Sequence, residues 1–107
     1  SLLKYIKLDI IIMIKKIINI IYISIDEINE FLDDNSKIKK KENTILFDSD
    51  NGLDSLSFFN LILAIEKKIF EDFNTKIILT DIDDLDDDNN PFKTVRSTAE
   101  YIVNKLK

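Results

Sequence analysis

Ser55 stands where the stretch DNGLDSLSFF (50–59) passes from polar residues into an apolar run, with Asp54 before it and Leu56 after it. The chain's only glycine, Gly52, lies just upstream. Such a make-up marks a loop that ends where a helix begins. Asp and Ser are favoured at helix N-caps because their oxygens accept hydrogen bonds from free backbone N–H groups. The same geometry holds a serine hydroxyl outward, beside the positive end of the helix dipole, where an esterified phosphate is favoured. The sequence contains no histidine and no cysteine. That excludes a Ser-His pair, a thiol nucleophile, a disulfide and a Cys/His zinc site. Chemistry at Ser55 must therefore be carried out by another protein.

Other constellations fail on spacing. A calcium-binding EF-hand loop needs oxygen ligands at positions 1, 3 and 5, Gly at 6 and Glu at 12. With Gly52 at position 6, Phe47 falls at 1 and Phe58 at 12; a loop starting at Asp81 puts Asp86 at 6 and Phe92 at 12. The acidic run at 81–88 reads as a solvated loop, with a non-motif divalent site as the alternative. Asp48, Asp50 and Asp54 neighbour one another only along a wet loop, so no acid–base pair is expected there. One glycine cannot make a Gly-rich phosphate loop. No catalytic residue and no metal ligand are expected.

With one Gly and one Pro, helices joined by polar loops are the natural architecture. Ile10, Ile14, Ile17, Ile21, Ile25, Ile28 and Leu32 recur in steps of three and four, the mark of one helical face. Residues 33–54 form a long connection, pinned to the core by Ile38, Ile45, Leu46, Phe47 and Leu53. A loop of that length in a small domain is usually functional. The second helix is expected from Asp54 or Ser55 to about Phe73. Leu56, Phe59, Leu63 and Phe70 share one of its faces, with Ile62, Ile69 and Phe73 adjoining. Thr80 or Asp81 caps a short third helix carrying Ile82 and Leu85. Thr94 caps the last helix, whose buried stripe is Val95, Ala99, Ile102, Val103 and Leu106. The short third helix, flanked by self-repelling aspartates, is expected to open readily. Phe59, Ile62, Leu63, Ile82, Leu85 and Ile102 would form a core that either parts to admit a short apolar guest or stays closed.

The fold expected is all-α: a four-helix bundle with a long loop between helices one and two and a short third helix. Residues 10–107 make one domain and residues 1–9 an N-terminal tail or helix extension; a folded-back tail is favoured over a partner or self-association patch formed by Leu2 to Leu8 with Tyr22 and Ile23. The formal net charge of −5 argues against nucleic acid and for basic protein partners. Hydrophobic residues make up 45% of the chain, enough for a core. Asp9, Lys15 and Lys16 break the apolar N-terminal run, whereas a membrane span needs ~20 mostly apolar residues. No membrane span and a cytoplasmic monomer are expected.

Phe47, Gly52, Asp54, Ser55 and Leu56 follow the pattern F-x4-G-x-D-S-L. This resembles the attachment region of acyl carrier proteins, in which the serine receives 4'-phosphopantetheine from coenzyme A. The resemblance continues in order through LSFFNLILAIEKKI, with its A-[LI]-E at Ala64 to Glu66, through FNTKI at Phe73 to Ile77, and through KTVRSTAEYIVNKL. It covers roughly residues 10–107. It implies that the chain is not an enzyme but a stand-alone carrier, bearing acyl groups as thioesters on a covalent phosphopantetheine arm at Ser55. It implies a phosphopantetheinyl transferase, an acyl-loading ligase and an acyltransferase or synthase as partners. Asp54, Leu56, Phe59, Asn60, Leu63 and Glu66 are the implied partner-recognition residues. The alternative is an unmodified acidic helical adaptor with the same fold.

The chain departs from the family's pattern in several places, among them a second helix about one turn longer through KKIFEDF and Tyr22 and Ile23 on the otherwise polar side of the first helix. Asn51 replaces the usual Leu before the glycine, with Leu53 as a substitute anchor. Asn60, Lys67 and Lys68 stand where an acidic contact face is usual, leaving Glu66 as its only acid. Those departures favour a specialised biosynthetic pathway over bulk fatty-acid synthesis.

Overall fold

The computed structural model describes residues 1–79 and 89–107. Among them are three α-helices: α1 (Leu2–Asn29), α2 (Ser55–Phe73) and α3 (Val95–Leu106). The only β-type pairings among the described residues are isolated bridges, so the chain is all-α. The expected short helix carrying Ile82 and Leu85, the aspartates at 81–88 and the cap at Thr80 or Asp81 lie outside the described residues.

α1 has 28 residues, a length of about 42 Å at 1.5 Å per residue. It lies against both other helices. Ile17, Ile18, Ile20, Ile21, Ile25 and Ile28 form its buried face. Isoleucine is a middling helix former because its branched Cβ loses rotamer freedom, so packing on both sides holds this helix. Ile18 and Ile20 widen the stripe beyond the expected line, and Ile10 and Ile14 are only half-buried. Residues 2–9 continue α1 and do not fold back; Leu2, Leu3, Tyr5, Ile6 and Leu8 on this extension are exposed. Ser24, buried within the isoleucines, donates its hydroxyl to the Ile20 carbonyl at 2.9 Å. No buried side-chain N or O among the described residues lacks a partner.

α2 ends where Asn74 takes the left-handed conformation (φ 51°) and returns its N–H to the Phe70 carbonyl. Asn tolerates this conformation better than most non-glycine residues. The buried face of α2 is Phe58, Leu61, Ile62, Ile65 and Ile69. The expected face of Leu56, Phe59, Leu63 and Phe70 is instead exposed to solvent. Both sets recur in helical steps, and apolar residues occupy more than half the circumference of α2, so period alone does not settle which stripe faces inward. Aromatic partners settle it. Phe58 stacks on Phe47 at 4.4 Å between ring centroids and meets Phe92 edge-on at 5.5 Å; Phe92 meets Tyr101 at 5.3 Å. This row of rings ties the long loop, α2 and α3 together. Phe59 and Leu63 are therefore not members of the expected core, whereas Ile62 and Ile102 are fully buried.

α3 is capped by Thr94, whose side chain accepts from the Ser97 N–H at 3.1 Å while the Ser97 hydroxyl accepts from the Thr94 N–H. Thr98 joins the expected buried stripe of Val95, Ala99, Ile102 and Val103, satisfied by the Thr94 carbonyl at 2.7 Å; Leu106 is half-buried.

The long loop between α1 and α2 is held at three points. The Asn29 amide clamps Ile38, donating to its carbonyl at 2.9 Å and accepting from its N–H at 3.1 Å. Residues 42–46 pair with the start of α3 through Leu46 N–H to the Lys93 carbonyl, Val95 N–H to Thr44 and Arg96 N–H to Glu42. Glu100 first, then Glu42, hold the Arg96 guanidinium's pKa above its ordinary value. Third, Leu46 and Leu53 are buried, as expected, and close a small turn: the Leu53 N–H donates to the Leu46 carbonyl at 2.9 Å and Asp48 N–H to Asn51 at 3.1 Å. Gly52 sits in this turn at φ 88°, and a Cβ there would stand 2.6 Å from the Leu46 oxygen. The backbone itself blocks any side chain. Gly52→Ala is accordingly expected to lower the thermal midpoint by several degrees and loosen the turn before Ser55. Thermal unfolding by circular dichroism checks this, and an unchanged midpoint would contradict the reading.

Candidate functional site

The turn closed by Gly52 delivers the chain to the N-terminus of α2. Asp54, not Ser55, is the N-cap: its carboxylate accepts from the Ser57 N–H at 2.7 Å and its carbonyl from the Phe58 N–H at 2.9 Å. Ser55 is thereby the first residue of the helix. It is exposed, and its hydroxyl has no hydrogen-bond partner among the described residues. Capping and presentation are thus divided between neighbours, Asp54 holding the helix end and Ser55 offering a free hydroxyl.

The Asp54 carboxyl is held below its ordinary pKa, first by the Ser57 N–H, then by the Ser57 hydroxyl, with a smaller share from the Leu56 N–H. A carboxylate so stabilised is a weaker proton acceptor than an ordinary one. The depressed folded-state pKa also sets a pH dependence. The cap contributes above the ordinary Asp value of 3.8 and is lost as pH falls through the lower folded value. Wild type should therefore lose its advantage over Asp54→Ala as pH falls below about 3.8. Paired thermal melts from pH 7 to pH 2 check this; a constant difference throughout would contradict it.

The outward side of α2 carries Leu56, Phe59, Leu63 and Phe70, with Asn60, Lys67 and Glu71 also exposed. Of the sequence-derived contact residues, Asp54, Leu56, Phe59, Asn60 and Leu63 are exposed. Glu66 is not: half-buried, it accepts from the Leu79 N–H at 2.5 Å. Lys68 also leaves the outward face. It pairs with Glu27 of α1 at 2.7 Å, its side chain only 17% exposed. Of the two lysines expected to mark this face, only Lys67 does so.

Two clefts flank the α2 N-terminus. One, of about 630 Å³, runs between Lys37, Lys39 and Asn43 of the long loop and Asn51, Asp54 and Ser57. The other, of about 400 Å³, lies between the end of α1 (Glu27, Ile28, Phe31, Leu32) and Leu56, Ser57, Asn60 and Ala64 of α2. Phe31, just past α1, is 88% exposed at its lip, and Leu56 is 72% exposed. The sequence reading missed Phe31; its signal was an aromatic residue among acids, just before the last periodic position, Leu32.

No described helix is long and apolar enough to cross a membrane. Among the described residues no group of acidic side chains is arranged to hold a metal ion. No family model matches the chain, and neither the curated proteins nor the solved structures contain a match.

Proposed function

We propose that this chain is an acyl carrier domain of the four-helix type that takes a phosphopantetheine group on Ser55. The observation that carries the reading is the placement of Ser55 within the ordered F-x4-G-x-D-S-L pattern. Phe47 stacks beneath the helix, Gly52 makes the turn, Asp54 caps, and Ser55 stands exposed with an uncommitted hydroxyl. These residues fit the group: nothing among the described residues competes for the Ser55 oxygen, and the first turn of α2 places free N–H groups and the positive helix end beside it.

Attachment balances as a transfer from coenzyme A. The Ser55 oxygen forms a bond to the phosphorus bearing pantetheine, the pyrophosphate bond breaks, and 3',5'-adenosine bisphosphate leaves. The serine proton passes to a base of the transferase, because this chain has no histidine and its nearest carboxylate is already engaged. The bound group supplies a terminal thiol that can hold an acyl chain as a thioester, which gives a cysteine-free protein its sulfur. The chain's own part is to cap the helix, present the serine and offer surfaces to its partners, with no catalytic residue of its own. The test is intact mass after incubation with coenzyme A and a broad-specificity phosphopantetheinyl transferase. A gain of one phosphopantetheinyl group is expected; no gain with several transferases would favour the adaptor reading.

A further inference from the structure

We propose that the α1–α2 groove, lipped by Phe31 and Leu56, is where the enzyme that modifies Ser55 docks, through a basic segment with an apolar tip. The inference rests on the carrier reading of Ser55 and says where its transferase binds. Leu56, on the groove's lip, is the residue bonded to Ser55, so an enzyme acting there has the groove within its footprint. The groove exists because α2 turns Ser57, Asn60 and Ala64 toward the end of α1, leaving a trough that larger side chains would fill. A large ring standing 88% exposed beside a trough is unfavourable in isolation and favourable once a partner covers it.

Charge defines the occupant. Residues 26–34 carry Asp26, Glu27, Glu30, Asp33 and Asp34 and no basic residue. Asp26, Glu27 and Asp34 are paired with Lys40, Lys68 and Lys37. Glu30 and Asp33 are exposed and form no ion pair among the described residues, leaving net negative charge on the groove's rim. A second copy meeting this face about a two-fold axis would set Glu30 and Asp33 against themselves, and an anionic lipid surface would be repelled likewise. A basic partner is attracted. Beside Ser55 the outward side of α2 offers it no acid, with Asn60 neutral, Lys67 positive and Glu66 engaged within the fold; its exposed acid, Glu71, stands at the far end of the helix. Glu30 and Asp33 thus give the groove an acidic rim of its own at the end of α1.

The test follows the rate of phosphopantetheine addition by intact mass, with one transferase that modifies the wild type. Phe31→Ala, the groove-filling Ala64→Leu and the charge reversal Glu30→Lys with Asp33→Lys are compared with Phe70→Ala, an exposed residue at the far end of α2. Each groove variant should lower the rate by about tenfold or more, and Phe70→Ala should leave it unchanged. Circular dichroism establishes that every variant is folded, and Phe31, being exposed, can be removed without opening the core. Wild-type rates in all three groove variants, or an equal loss in Phe70→Ala, would overturn the groove while leaving the carrier reading intact. A wild type that no transferase modifies would overturn both.

Discussion

Ser55→Ala is expected to fold and melt as the wild type does and to gain no mass with coenzyme A and any transferase. Both halves follow from the first turn of α2. Asp54 makes the capping bond, so removing the Ser55 hydroxyl deletes no hydrogen bond of the described structure. Alanine is also a better helix former than serine at a helical position. The effect on modification should nevertheless be total, because the serine oxygen is the atom that forms the new bond. Ser49 and Ser57 are internal controls: neither combines an exposed position with a place at the start of the helix, Ser57 being half-buried and Ser49 lying in the preceding turn. Residual modification of Ser55→Ala at either would show that the assignment of the attachment residue is mistaken.

Phe58→Ala should produce the largest loss of stability of any single truncation near the site. The Phe58 ring is 3% exposed, stacks on Phe47 and meets Phe92. Emptying a site of that kind costs about 3–5 kcal/mol, the lost transfer energy plus the cavity left behind. That is a large part of the ~5–15 kcal/mol that holds a typical domain together. Loss of the ring also unseats Phe47, and with it the turn that carries Gly52 to Ser55. Denaturant unfolding should show the midpoint falling steeply, and modification of the folded fraction should slow. By contrast Phe59→Ala, one residue on and exposed, should cost under about 1 kcal/mol. Equal losses in the two variants would contradict the orientation of α2 described here.

That pair of phenylalanines also marks the boundary of what the sequence made legible. The extents of α2 and α3, the cap at Thr94, the anchoring of the loop by Leu46 and Leu53 and the isoleucine stripe of α1 could all be read from spacing and end signals. Those features rest on local chemistry: caps, turns and a period of 3.6 residues. The phase of α2 could not be read so, because Phe58/Phe59 and Ile62/Leu63 offer two overlapping apolar stripes. The choice between them lies in Phe47 and Phe92, which are distant in sequence. The engagement of Lys68 with Glu27 and of Glu66 with the Leu79 N–H was equally hidden, since each depends on where a second element passes. Ser55 itself was legible as an exposed residue at a helix start. That Asp54 alone caps the helix, leaving the serine hydroxyl free, needed coordinates.

The distribution of charge bears on partner choice. A carrier whose outward α2 face carries its acid only at the far end, at Glu71, should be a poor substrate for enzymes that read acids beside the serine, and Lys67 is its only exposed cation there. With Lys68 committed to α1, charge reversal at that position would cost the Glu27 pair and report on packing, not on docking.

The most direct measurement of the central claim is the intact mass of this protein isolated from its own cells, followed by fragmentation of the peptide that spans Asp50–Phe59. The account predicts a mass increased by one phosphopantetheinyl group, alone or acylated, located on Ser55. A protein found wholly unmodified, or bearing the group on another residue, would contradict it.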